Sequence, residues 1–81
     1  MQNPKGQAIN ARFFDAVNAL IQTKEINSFN EFCTLYKIDR RNMERLQREP
    51  QREFPMFLLS SLVLDFKVSP DWLLTGRGKM K

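Results

Sequence analysis

The apolar residues of this chain fall into successive bursts with helical spacing, each closed by a recognisable break. From about Ala8 to Lys24 they are Ile9, Phe13, Phe14, Val17, Leu20 and Ile21, in steps of four, one, three, three and one. That spacing keeps them on one stripe and predicts an amphipathic helix. Asn27 supplies the break, and residues 1–7, "MQNPKGQ", predict a flexible start because Pro4 and Gly6 discourage a helix. In "SFNEFCTLYKI", Ser28 and Glu31 have the S-x-x-E spacing of a capping box. Phe32, Cys33 and either Leu35 or Tyr36 then give a short apolar stripe, so a second helix is expected to end near Tyr36 or Lys37.

Asp39 is suited to cap a third helix, Arg40 to about Arg48. Ile38 before the cap and Met43 at the fourth helical position have the spacing of a hydrophobic staple. Leu46 continues that face, and Pro50 stops the helix near Glu49. "QREF" reads as a loop. Pro55 fits the first turn of a fourth helix that runs to about Lys67. Nine of the thirteen residues from Phe54 to Phe66 are apolar. One face cannot hold so many, which makes this helix either central or half of an interface. In "VSPDWLLTGRG", Ser69 caps a fifth helix, Pro70 takes its first position, Asp71 suits its positive end and Gly76 terminates it. Val68 and Leu73 repeat the staple spacing, and Trp72, Leu73 and Leu74 are expected in the core. Residues 77–81 read as a loose basic tail. The expectation is an all-α, compact five-helix bundle, one domain over residues 8–76.

Composition narrows the chemistry. Thirteen Lys and Arg against nine Asp and Glu give a net charge of +4, which favours an anionic partner. Histidine is absent, so the commonest general base and metal ligand are missing. The one cysteine, Cys33, excludes a disulfide framework or a zinc cluster and reads as core filler. No enzyme, metal or cofactor is implied. The longest apolar stretch, "FPMFLLSSLVLDF", is interrupted by Ser60 and Ser61 and is too short to span a bilayer. With no apolar run at the start, a cytoplasmic location is expected.

The second and third helices form a unit. Phe32 and small Cys33 lie inward on the first, Ile38 flanks the turn, and Met43 and Leu46 lie inward on the second. This is the mechanical requirement of a braced helix pair. "FNEFCTLYKIDRRNMERLQ" resembles the helix-turn-helix of the phage repressor and Cro family, the XRE-type regulators. Counting from Phe29, the family's apolar, small, apolar, apolar and apolar positions fall on Phe32, Cys33, Ile38, Met43 and Leu46. "VSPDWLLTGRGKM" is similar to the end of many such domains, so the resemblance covers about Ala8 to Gly78. Three positions depart from the family pattern: Phe29 replaces Gln, Lys37 replaces the turn Gly, and Asp39 replaces Ser or Thr.

The resemblance implies a lambda repressor-like fold and sequence-specific binding of double-stranded DNA by a bacterial or phage transcriptional regulator. It implies that the third helix enters the major groove, with Arg40, Arg41, Glu44 and Arg45 facing base edges. Arg48, Gln51 and Arg52, at the end of that helix and in the following loop, are placed for phosphates. So are the amides near Ser28. Considered alone, the arginine run is a solvated face supported by Arg40–Glu44 and Glu44–Arg48 spacing. Repressor-type domains usually act as dimers, which makes a homodimer through helix 4 or helix 5 an expectation; burial of those helices within one subunit fits equally. Two further readings stand beside this one. The first is a protein-interaction module, an antitoxin or adaptor, on the same fold. The second is single-stranded nucleic acid or RNA binding, with Phe29 and Tyr36 as stacking candidates.

Overall fold

The computed structural model describes residues 4–49 and 54–81. Its elements are α1 (Pro4–Gln22), α2 (Phe29–Leu35), α3 (Arg40–Arg48), α4 (Met56–Phe66) and α5 (Pro70–Thr75), with no strand among the described residues. The chain is an all-α five-helix bundle. Helix α1 is its axis: α2, α3, α4 and α5 all pack against it, and α2 also packs on α3.

The apolar stripe of α1 supplies the centre. Phe13, Val17 and Leu20 are buried, joined by Phe32 and Cys33 of α2, Met43 and Leu46 of α3, Leu58, Leu59 and Leu62 of α4, and Val68 and Leu73. Phe13 anchors an aromatic cluster, with ring centroids 5.1 Å from Phe14, 5.8 Å from Phe32 and 4.7 Å from Phe54. Such pairs add roughly 0.5–1.5 kcal/mol each beyond area burial. Phe54, in the segment expected to be a plain loop, thus pins the entry to α4.

Several local expectations hold. The Ser28 hydroxyl accepts from the Glu31 amide at 3.0 Å, Asp39 Oδ1 from the Arg41 amide at 3.0 Å, and the Ser69 hydroxyl from the Trp72 amide at 3.2 Å. Each satisfies an amide that the helix itself leaves without a partner. The box at α2 is displaced by one residue. The Glu31 carboxylate accepts from the Asn27 amide at 3.2 Å and from Asn27 Nδ2 at 2.8 Å.

Other expectations are corrected. Helix α1 begins at Pro4, not Ala8, so residues 4–7 are helical. Proline at the first position is already set to the helical φ and lacks only an amide that would bond nothing. The helix ends at Gln22, and Lys24, at φ 64°, makes the turn. Helix α4 starts one residue after Pro55. In α5 only Leu73 is buried, Trp72 is half-buried and Leu74 is 52% exposed. A six-residue helix shows one face to the bundle, and the residue next to a buried one is turned by about 100°. The basic tail is not loose. The Ser69 amide donates to the Met80 carbonyl at 2.6 Å, the Met80 side chain packs against the core, and Lys81 Nζ lies 2.6 Å from Glu25. That pair holds the Glu25 carboxyl below its usual range.

A candidate nucleic-acid interface on helix α3

The placement of α3 follows from two buried side chains. Met43 and Leu46 are 1% and 6% exposed, and they fix which side of the helix faces water. With about 100° per residue, Arg41, Arg45 and Arg48 lie on the arc opposite that pair, Glu44 beside them and Arg40 at one edge. All five are exposed. Met43 and Leu46 therefore act as the two teeth that hold the arginine face outward.

The turn into α3 is equally constrained. Tyr36 closes α2 by donating its amide to Phe32, and the Ile38 amide reaches the Cys33 carbonyl at 2.9 Å. Between them Lys37 stands at φ 56°, in the left-handed region where a side chain costs roughly 1–2 kcal/mol. The turn keeps the conformation that glycine would make easily. Cys33 is buried beneath the start of α3, and burial pushes its thiol up. It remains protonated and unreactive at neutral pH.

A second brace comes from α4. The Tyr36 hydroxyl donates to Asp65 Oδ2 at 2.6 Å, while its ring packs on Phe32 with centroids 4.9 Å apart. Burial, then the Asp65 carboxylate, push the Tyr36 phenol up to about 12. This link joins the α2–α3 turn to a helix 29 residues further along the chain. Nothing local to "TLYKI" marks it.

Of the α3 arginines, Arg40 alone pairs with a described residue. Its Nε is 3.2 Å from Glu44, with the two side chains 57% and 48% exposed. A pair this exposed contributes at most about 1 kcal/mol. The i,i+4 ladder anticipated from the sequence is present at its first rung and does not extend to Glu44–Arg48. Arg41, Arg45 and Arg48 are left projecting together from one face. The structure thus groups Arg48 with Arg41 and Arg45 rather than apart from them. Ser28 is exposed at the start of α2, with its hydroxyl engaged in the helix cap. Gln51 and Arg52 lie outside the described residues.

Phe29 and Tyr36, the stacking candidates, are turned toward the core. Phe29 packs against Phe14 at 6.2 Å and Tyr36 against Phe32. Sequence reasoning missed Arg12. Its Nε and Nη2 donate to the Leu73 and Leu74 carbonyls at 2.7 and 3.0 Å, satisfying the C-terminal end of α5. A lone arginine on the polar side of α1 carries no local sign of that role. Among the described residues no group of His, Cys, Asp and Glu gathers with the density of a metal site, and no helix is long and apolar enough to cross a membrane.

Comparison with known proteins adds no assignment: no family model, no curated protein and no solved structure matches the chain.

Proposed function

We propose that the protein binds double-stranded DNA sequence-specifically by seating α3 in the major groove, and acts as a transcriptional regulator inside the cell without a cofactor. The observation that carries this reading is the outward row of Arg41, Arg45 and Arg48, unpaired with any described residue and opposite buried Met43 and Leu46. A major groove about 12 Å wide admits one helix, and an arginine donates two parallel hydrogen bonds to guanine O6 and N7. In this reading Arg41 and Arg45, one turn apart, read neighbouring base pairs. Arg40 and Glu44 act as a coupled pair, with Glu44 orienting the arginine or accepting from cytosine. Arg48, Gln51, Arg52 and the start of α2 near Ser28 hold phosphates, which set register without reading sequence.

Selection from a randomised duplex pool, followed by fluorescence anisotropy across a salt series, tests it. The wild type is expected to enrich a motif. Arg41→Ala combined with Arg45→Ala should remove the preference, at about 1–3 kcal/mol per lost bidentate contact, while leaving weak, salt-dependent binding. Enrichment by neither protein, with both binding alike, overturns the reading.

One observation favours a second reading, a protein-interaction module on the same fold: the solvent-facing side of α4 carries large apolar residues. On that reading Arg41→Ala leaves the activity intact and substitutions on α4 abolish it.

A further inference from the structure

We infer that the groove between α4 and α5, continued by an arginine-lined cleft at the end of α5, is the docking site for a short acidic segment of another protein, one that carries a large apolar side chain two or three residues from a carboxylate. The inference deepens the protein-interaction reading by naming the chemistry of the partner, and it does not depend on DNA contact by α3. Helices α4 and α5 both pack on α1 and do not pack closely on each other. Between them lies an apolar groove of about 140 Å³, lined among others by Met56, Val63, Pro70 and Leu74 and by no charged residue. Met56 and Leu74 are 72% and 52% exposed. A wider cleft of about 540 Å³ follows at the C-terminal end of α5, lined by Ala8, Arg12, Leu74, Thr75 and Arg77. Leu74 lines both, so they form one continuous surface, apolar at one end and cationic at the other.

Three arguments select the occupant. The first is charge. Arg12 Nε and Nη2 donate to the Leu73 and Leu74 carbonyls, which are neutral, so the guanidinium is oriented while its charge stays uncompensated. Gly76, at φ 79°, turns the chain, and the Arg77 amide donates to Thr75 Oγ1 at 3.3 Å, which sets Arg77 beside the same cleft. Among the described residues neither arginine forms an ion pair, and no acidic residue lines the cleft. A carboxylate there meets two cations, and arginine binds it through charge-assisted hydrogen bonds. The second is continuity. The apolar groove beside the arginines gives nothing to a nucleic-acid backbone, whereas a peptide offers an apolar and an acidic side chain together. The third is size. Helix α5 has six residues and is roughly 9 Å long, the span of about three extended residues. Such a surface is far below the roughly 800 Å² per partner of a standard interface between folded proteins. It suits a short segment held by one or two anchoring side chains.

Selection from a randomised heptapeptide display library against the full chain, without DNA, tests the inference. Enriched peptides are expected to pair Leu, Phe or Met with Asp or Glu two or three positions away. Anisotropy of the most enriched peptide, labelled and titrated across a salt series, then gives its affinity. Arg77→Glu and Leu74→Ser should each weaken it about tenfold, with circular dichroism confirming that these variants of exposed residues stay folded. Replacing the carboxylate of the peptide by lysine should restore binding to Arg77→Glu. Lys79→Glu makes the same change in net charge at an exposed residue that lines neither cavity, and should leave affinity unchanged. So should Arg41→Ala combined with Arg45→Ala. Enrichment of no peptide, or of peptides without an acid, overturns the inference. So does equal weakening by Lys79→Glu, or loss of binding in the α3 double variant, which would place the peptide on α3. Any of these failures leaves duplex selection unaffected, and leaves the protein-interaction reading to be tested by substitutions at Phe57 and Leu64, which line neither cavity.

Discussion

Helices α3 and α4 put opposite demands on their apolar residues. In α3 the two large apolar side chains, Met43 and Leu46, are both buried, and everything else on the helix is polar or charged. The core accounts for all of its hydrophobicity, and the outer face is free to carry arginines. In α4 the core takes Leu58, Leu59 and Leu62 and leaves Met56, Phe57 and Leu64 in water. The core of the chain does not take up those three. Apolar content is therefore informative only after the core's share is subtracted. What remains on α3 points to an anion, and what remains on α4 points to an apolar surface.

The largest effect should separate buried from exposed leucine on the same helix. Leu62→Ala, at a fully buried site, is expected to cost about 2–5 kcal/mol in urea unfolding, a large share of the stability of a small domain. Leu64→Ala, two residues on, should change monomer stability by less than about 0.5 kcal/mol. Equal losses would mean that α4 is rotated from the position described, and the contrast with α3 would disappear.

The turn into α3 and the turn out of α4 both use left-handed backbone. Lys37, before α3, and Lys67, after α4, both adopt positive φ, at 56° and 63°. Gly76 closes α5 at φ 79° with Arg12 Nη1 3.3 Å from where a Cβ would stand. Lys37→Gly should raise stability, the strain relieved exceeding the added freedom of the unfolded chain, for a net gain of about 0.5–1 kcal/mol. Gly76→Ala should lower it by about 1–2 kcal/mol. Thermal unfolding of the two variants checks both signs. If Lys37→Gly also alters DNA discrimination, the turn sets the tilt of α3 as well as its stability.

The smallest effect tests the link between the α2–α3 turn and α4. Tyr36 is the only tyrosine, so its ionisation is visible as a single step in the ultraviolet difference spectrum. Its phenol is raised from the ordinary value of 10.0 to about 12 in the folded chain. The folded state therefore holds the proton where the unfolded state has released it. The resulting stability is complete below pH 10 and is lost as pH rises through about 12. Tyr36→Phe should cost about 0.5–1 kcal/mol at neutral pH and remove that part of the alkaline loss. A wild-type phenol that titrates near 10 would show that Asp65 does not hold it.

Elements with local causes were legible in the chain. Ser28, Asp39 and Ser69 cap helices because each side chain reaches an amide two or three residues on, a relation that sequence spacing displays directly. The pairing of Met43 with Leu46 gave the orientation of α3, and so the arginine face, for the same reason. Pro4 is the exception, because proline stops a helix from within and begins one equally well; the sequence around it does not choose. The left-handed turns at Lys24, Lys37 and Lys67 carried no glycine to announce them. Closure of the bundle imposes them against the local preference of lysine.

The sequence by itself determined the number and order of the helices, the starts of α2, α3 and α5, and which side of α3 meets water. Each depends on residues within one or two turns of one another. Only the tertiary structure decided which leucines of α4 and α5 the core accepts, that Arg12 closes α5, that Tyr36 and Asp65 join α2 to α4, and that Met80 and Lys81 fold back onto the bundle. These contacts join segments far apart in the chain. Their energy depends on distances that no short window of sequence contains, and they exist only once α1 has gathered the other helices around it.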